Sequence, residues 1–201
     1  SGEQSRGTMS WLRTTALAAT LAVAGCATLS PDAGGPGEPS PTPFDLSGRV
    51  LVSYDGRAFS SGLRWQHGPG RDEIWLLTPI GQTLAHIVNE ADGATLTGAD
   101  QRQYRAVSVE SLTRQALGWE LPLARLQYWV RGEIAPGSVP GEVERDANQR
   151  LSRLEQDGWR IVFANYPLEE HGGLPRRLDL ARDTHEIRFV IDAWRRSTVA
   201  P

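Results

Sequence analysis

Cysteine and lysine are the residue types that this chain almost or entirely lacks. Its 201 residues include a single cysteine, Cys26, and all 21 basic residues are arginine. One cysteine excludes an intrachain disulfide, a CxxC redox pair and a zinc site built from several cysteines. Without lysine, the chain cannot form the GxxxxGK phosphate-binding loop of P-loop enzymes.

Signatures of catalysis and of nucleic-acid binding are missing as well. The four histidines include no HExxH pair, and the nucleophile motif GxSxG does not occur. The formal net charge is −3 and the isoelectric point is about 5.8, without the basic excess of nucleic-acid-binding domains. The sequence therefore predicts a protein that is not an enzyme, holds no metal and binds no nucleic acid.

A short apolar run near the start has the layout of a secretory signal peptide. It follows Met9 and extends over residues 14–24, whereas a membrane-spanning helix needs about 20 apolar residues. Residues 23–26 read VAGC, which matches the bacterial lipobox, where a dedicated peptidase cuts before the cysteine. Residues 1–25 are therefore predicted to be an upstream stretch and a lipoprotein signal peptide, and cleavage leaves 201 − 25 = 176 residues.

Lipidation of Cys26 is the modification that this motif predicts. The cysteine would carry a diacylglyceryl group on sulfur and an acyl chain on its amino group, and two or three chains hold a protein stably on a membrane. Alternatively, Cys26 is only a small residue near an ordinary cleavage site. In bacterial lipoproteins an Asp after the lipidated cysteine retains the protein in the inner membrane. Ala27 occupies that position here, which favours an anchor on the periplasmic face of the outer membrane.

A tether separates the predicted anchor from the folded domain. Residues 30–43 contain five prolines and three glycines, a composition that disfavours both helix and sheet. The sequence thus divides into a lipidated tether, residues 26–43, and one folded domain, residues 44–201. Because a Pro-rich stretch is semi-extended, the domain is expected to move some distance from the bilayer.

Alternating apolar residues predict that the folded domain is mainly β. From Phe44 apolar and polar positions alternate, Asp55-Gly56 supplies a hairpin turn, and the pattern resumes at Ala58. Close spacing with short turns predicts an antiparallel meander. The predicted strands begin near residue 44 and then cover 58–66, 73–78, 82–90, 94–97, 102–106, 150–156, 159–166, 174–181 and 186–194.

The period changes to that of a helix after residue 106. Ser108 is a potential N-cap for a helix that ends at Gly118, and Pro122 is a favoured first-turn residue for a second helix that ends before Gly132. No repeat of fixed period is visible, which disfavours a solenoid or a propeller. The predicted fold is a single curved antiparallel sheet with two short helices against its concave side.

The connection Thr78-Pro79-Ile80-Gly81 between two predicted strands carries an apolar side chain where a polar one is usual. Insertion of a side chain of this size into a bilayer is worth about 1.5–3 kcal/mol. From the local sequence, Ile80 either contacts a membrane or folds back onto its own core. The six tryptophans of the domain similarly allow two interpretations, a lipid cavity or an ordinary core.

The order of four segments resembles the LolB family of outer-membrane lipoprotein receptors. They are the lipobox, the strand and turn WLLTPIG of residues 75–81, the helical stretch from Leu121 to Trp129, and the ending IRFVIDAW of residues 187–194. The resemblance covers nearly the whole mature chain. It implies an incomplete antiparallel β-barrel, closed by helices around an apolar cavity.

The resemblance also implies a function and a set of partners. Proteins of this family accept acylated lipoproteins from the periplasmic carrier LolA and place them in the outer membrane without ATP; a monomer without a cofactor is expected. The family's exposed leucine on a Pro-Leu-Gly loop corresponds to Ile80 between Pro79 and Gly81. We expect the acyl chains to contact an alternating set of apolar residues, with helical neighbours: Val50, Val52, Leu63, Trp65, Ile74, Leu76, Leu84, Val88, Leu126 and Trp129.

Two other functions remain compatible with the sequence. The same anchored domain could bind a different apolar ligand, such as a lipid or a glycolipid. A membrane-attached lipid hydrolase would need a polar nucleophile and a base inside the cavity, so a Ser–His or Asp–His contact there is what distinguishes it. The sequence does not indicate the docking surface for the carrier, which strand face lines the cavity, or whether the helices gate it.

Overall fold

A computed structural model describes residues 42–167 and 173–195 of the chain. The predicted signal peptide, Cys26 and the tether up to residue 41 lie outside the described residues. The described part contains eleven strands and two helices. The strands are β1 Phe44–Tyr54, β2 Arg57–Gly68, β3 Arg71–Leu77, β4 Thr83–Glu90, β5 Gly93–Gly98, β6 Gln103–Ala106, β7 Val143–Arg145, β8 Leu151–Gln156, β9 Trp159–Ala164, β10 Arg177–Arg182 and β11 His185–Arg195. The helices are α1 Val109–Leu117 and α2 Leu123–Trp129.

All eleven strands belong to one open antiparallel sheet. Their order is β6-β5-β4-β3-β2-β1-β11-β10-β9-β8-β7, so two meanders meet where β1 pairs with β11. Strands β6 and β7 are the two edges, and the sheet does not close on itself. The prediction of a mainly β protein with a single antiparallel sheet is confirmed.

The seam between β1 and β11 requires a glycine. The register shifts between Ser47 and Gly48, where the two strands approach closely. A Cβ atom at position 48 would lie 2.1 Å from the carbonyl oxygen of Val190, far inside van der Waals contact. Gly48 therefore lets the first and last strands pair along their whole length, which places both ends of the domain side by side.

Helix α1 begins and ends as its capping residues predict, whereas α2 ends at Trp129 with Val130, not Gly132, as its C-terminal cap. The Ser108 side chain accepts a hydrogen bond from the N–H of Ser111 at 3.3 Å, and Gly118 ends α1 in the left-handed conformation. Helix α2 begins directly after Pro122. Helix α1 packs against β5 and β6, and the buried side chains of both helices join one hydrophobic core with the sheet. We call the side of the sheet in this core the core face, and the other side the outer face.

The structure differs from the expectation at two short segments. Strand β7, only three residues long with exposed side chains throughout, is not predicted because it has no apolar alternation. Strand β10 begins at Arg177 rather than near Leu174. Pro175 explains the later start, since proline has no N–H to donate to a neighbouring strand.

Candidate functional site

An apolar pocket lies between the core face of the sheet and the segment that joins the helices. Strands β1 to β4 and β11 form its floor. The segment Gly118–Pro122 and helix α2 cover it. Its lining is entirely apolar and consists of Val50, Leu63, Trp65, Ile74, Leu76, Ile87, Trp119, Leu121, Leu126 and Phe189.

The pocket is closed in this structure. Its free volume is about 10 Å³, close to the space that a single water molecule needs. Trp119 and Leu121 occupy it from above and are 4% and 5% exposed, respectively. An acyl chain can therefore enter only if this cover moves away from the sheet.

A buried polar cluster borders the pocket at Trp65. The Trp65 Nε1–H donates to Asp72 Oδ1 at 2.9 Å, and His67 Nδ1 lies 2.7 Å from the same oxygen. Asn89 donates to the other carboxylate oxygen, Oδ2, at 3.3 Å. Asp72 thus orients the tryptophan that forms one wall of the pocket.

This His–Asp contact does not make a hydrolytic site. The Nε2 atom of His67 is buried and has no hydrogen-bond partner among residues 42–167 and 173–195, so no nucleophile is activated there. Neither His67 nor Asp72 lines the pocket. Within the described ranges, no three His, Cys, Asp or Glu side chains gather in an arrangement that could hold a metal ion.

The β3–β4 loop displays Ile80 away from the core. The Thr78 N–H donates to the carbonyl oxygen of Gln82 at 2.8 Å, and the Gly81 N–H donates to that of Thr78 at 2.9 Å. Pro79 occupies the first corner of this turn, and Gly81 has a positive φ of 82°. The backbone is thus well defined, yet the Ile80 side chain is 80% exposed. Ile80 does not fold back onto the core.

A second, larger groove is lined mainly by the outer face. Its volume is about 740 Å³, and it includes the exposed apolar side chains of Leu51 and Val162. An acyl chain bound there would remove seven charged side chains from water, which is costly even for those that form ion pairs, whereas the lining of the smaller pocket is entirely apolar. The smaller pocket is therefore the better candidate for acyl chains. The charged residues of the groove are Glu142, Arg153, Glu155, Arg160, Asp179, Glu186 and Arg188.

Most of the residues predicted to contact acyl chains lie on the core face. Val52 and Trp129 are buried but line other parts of the core, and Leu84 is half-buried against it. The pocket itself receives six of the predicted residues: Val50, Leu63, Trp65, Ile74, Leu76 and Leu126.

The placement of Val88 on the pocket side is wrong. Val88 pairs with Glu73 across the sheet, whereas the adjacent Ile87 pairs with Ile74 and lines the pocket. A register shift after Leu76 leaves Leu84 as an extra residue in β4. The apolar residues Leu84 and Val88 indicated that even-numbered positions of β4 face the pocket. In the structure the odd-numbered positions Ala85 and Ile87 are buried instead.

Four pocket residues were not among the predicted acyl-chain contacts, although Trp119 is one of the six tryptophans for which a lipid cavity was one interpretation. Ile87 could have been found from its alternation with the buried Ala85, and Phe189 from the alternating ending of the chain. Trp119 and Leu121 lie in the connection between the helices. No periodicity predicts the position of such a connection, since tertiary packing decides it.

Comparison with known proteins assigns the chain to a family. Residues 42–194 match the family model described as outer membrane lipoprotein LolB. The chain belongs to the LolB family. Outer-membrane lipoprotein LolB of Nitrosomonas europaea is 42% identical over 158 residues, which cover 78% of this chain and 74% of the relative. The LolB protein of Thiobacillus denitrificans is 38% identical over 189 residues, which cover 91% of this chain and 98% of the relative.

Among solved structures, a LolA superfamily protein from Nitrosomonas europaea aligns with a TM-score of 0.49 and 9% identity, over 81% of this chain and 90% of that one. For this LolB-family chain, no helix within the described residues has the length and apolar character needed to cross a membrane.

Proposed function

We propose that this protein accepts acylated lipoproteins from the periplasmic carrier LolA and inserts them into the outer membrane. The observation that carries the proposal is an entirely apolar pocket beneath Trp119 and Leu121 in a chain of the LolB family. No nucleotide is needed, because acyl chains move to whichever site binds them more favourably. Because an acyl chain on the carrier is already shielded from water, only the difference in binding free energy between the two sites, including displacement of Trp119 and Leu121, drives the transfer.

The roles of the pocket residues follow from their positions. The sheet residues Leu63, Ile74 and Leu76 would form a fixed floor for the acyl chain, with Trp65 held in place by Asp72. Leu126 would remain as a side wall. Helix α2 is fixed at its end, because buried Gln156 accepts hydrogen bonds from Trp129 Nε1 at 2.9 Å and from the Ala135 N–H at 3.1 Å.

The loop of Pro79, Ile80 and Gly81 would deliver the cargo to the bilayer. Its exposed isoleucine can enter the hydrocarbon layer without unfolding any part of the core. Insertion of this side chain is worth about 1.5–3 kcal/mol, enough to bias membrane contact without fixing the protein there.

The predicted anchor and this loop are compatible in reach. Phe44 pairs with His67, which pairs with Asp72 near the start of β3, so the loop after β3 lies at the other end of the sheet. Strand β3 has seven residues, which span roughly 23 Å at about 3.3 Å per residue. The tether from Cys26 to Pro43 can extend to roughly 55 Å. If Cys26 is lipidated, the loop can therefore contact the same membrane.

A transfer assay tests the proposal. LolA carrying a radiolabelled lipoprotein is mixed with liposomes that contain either the mature lipidated protein or no protein, and cargo in the floated membrane fraction is measured. The proposal predicts transfer to the liposomes that contain the protein. If both samples receive equal cargo, the proposal is wrong. Native mass spectrometry of the purified protein would show whether it carries another apolar ligand instead.

A further inference from the structure

The connection between the helices is the part of the cover that must move. Trp119 and Leu121 both belong to the segment Gly118–Pro122 and both fill the pocket. Helix α2 is fixed separately by Gln156 and by an ion pair between Arg125 and Asp157. The segment can thus leave the sheet while α2 stays in place.

Glu120 joins this segment to the sheet. Glu120 lies between Trp119 and Leu121 in the chain, but its side chain does not line the pocket. Its Oε2 atom lies 3.2 Å from Nη2 of Arg182 on β10. Arg114 of α1 pairs with the same oxygen. The Glu120 side chain is only 19% exposed, so this pair is partly shielded from water. Of the described ion pairs, it is the only one between the connection and the sheet.

The Arg182 side chain is positioned for this ion pair by stacking on an aromatic ring. Its guanidinium lies over the ring of the buried Trp159, 4.5 Å from the centroid. Stacking on an aromatic ring limits the movement of the arginine, so less conformational entropy is lost when the ion pair forms. Two neutral hydrogen bonds also lie near the segment, from Tyr54 Oη to the Leu117 carbonyl at 3.1 Å and from the Leu121 N–H to Thr113 Oγ1 at 3.0 Å.

We propose that the Glu120–Arg182 ion pair is the catch that keeps the pocket shut, and that acyl chains enter when this pair breaks. The proposal rests on the proposed function in assigning acyl chains to the pocket. The ion pair itself is present in the protein without cargo, so it can be tested independently of that function. Partial burial raises the pKa of the Glu120 carboxyl, but hydrogen bonds from Arg114 and Arg182 outweigh it and hold the pKa below its ordinary value. Glu120 is therefore ionised at neutral pH.

Hydrogen exchange tests the catch directly. The mature lipidated protein and its Glu120→Gln variant are placed in nanodiscs, and deuterium uptake is followed in peptides that cover residues 117–123. Loss of the charged hydrogen bonds from Arg182 and Arg114 should make local opening about tenfold more frequent, and exchange correspondingly faster. Arg182→Gln, which leaves the Arg114 pair in place, should give most of this increase. Glu120→Ala should show at least the same increase.

A matched control separates the catch from a general loss of charge. Glu144 pairs with Arg153 at 3.2 Å on the β7–β8 hairpin, away from the pocket. Glu144→Gln should leave exchange at residues 117–123 unchanged. Equal exchange in wild type and both Glu120 variants would overturn the proposal, as would an equal increase in Glu144→Gln.

Uptake of a fluorescent triacylated lipopeptide separates the catch from the proposed function. With the catch as the barrier, uptake by Glu120→Gln should also be about tenfold faster. Faster exchange with unchanged uptake would overturn the claim that breaking this pair admits acyl chains. If no form of the protein takes up lipopeptide although exchange is faster in Glu120→Gln, the proposed function fails and the catch remains.

Discussion

Substitution of Ile80 separates binding of the cargo from its delivery. The side chain is 80% exposed and contributes little to the core. Ile80→Ala removes three carbon atoms, which at about 0.8 kcal/mol each is about 2.4 kcal/mol of membrane insertion, or roughly a 50-fold change in the inserted population. Ile80→Glu should be more severe, because an ionised carboxylate loses its hydration in the bilayer. Ile80→Leu keeps the apolar surface and should behave as wild type.

The assay measures two steps with the same proteins. Capture is the amount of lipoprotein that co-purifies with the receptor after incubation with loaded LolA, and delivery is the amount that later floats with liposomes. The Ile80 variants should capture cargo normally, since the loop is not part of the pocket. Delivery should fall roughly 50-fold for Ile80→Ala, if insertion of the loop precedes release.

Val107 provides the matched control. It is 88% exposed and follows β6, at the end of the sheet opposite to Ile80. Val107→Glu should leave both capture and delivery unchanged, and both Glu variants should unfold in urea within about 0.5 kcal/mol of wild type. Normal delivery by Ile80→Glu, or an equal loss in Val107→Glu, would contradict the role of the loop in delivery.

Three further predictions concern stability. Gly48→Ala should lower the free energy of unfolding in urea by more than about 2 kcal/mol, because the new methyl group collides with the carbonyl of Val190; an unchanged midpoint would contradict this. Gln156→Ala should lower the free energy of unfolding by about 2–3 kcal/mol, since it leaves the Trp129 indole and nearby backbone groups unsatisfied. Wild-type stability would contradict the role of Gln156 in fixing the end of α2. Burial raises the pKa of the Asp179 carboxyl, but hydrogen bonds from Arg177 and Arg188 outweigh it and lower the pKa overall. The ionised Asp179 therefore stabilises the folded protein fully at neutral pH, and this contribution is lost as the pH falls through the lowered pKa. Asp179→Asn should weaken the acid dependence of unfolding, and an unaltered pH profile would contradict that.

Local signals account for how well the strands and helices could be predicted. Hairpin turns at Asp55-Gly56 and Asp157-Gly158 adopt the positive φ angles that these residues favour. The helix boundaries at Ser108 and Gly118 follow from capping chemistry that involves only neighbouring residues. These turn and capping residues lie within a few positions of the turns and helix ends that they determine, so a single sequence is enough to predict them.

The pocket could be predicted only in part, because its cover depends on tertiary packing. The floor follows from strand alternation, except in β4, where the apolar residues Leu84 and Val88 indicated one phase but Ile87 faces the pocket. The connection that carries Trp119 and Leu121 has no period of its own. Its side chains pack against strands that are distant in sequence, and Glu120 pairs with Arg182 of β10, so neither the closure nor the ion pair could be inferred.

The most direct test of the account is to locate a bound acyl chain. A triacylated lipopeptide with ¹³C-labelled acyl chains is added to the protein, and nuclear Overhauser effects from its methylene groups are assigned. The proposed function predicts contacts with the floor residues Leu63, Ile74 and Leu76 of the core-face pocket. Contacts confined to Leu51 and Val162 in the outer-face groove would contradict it.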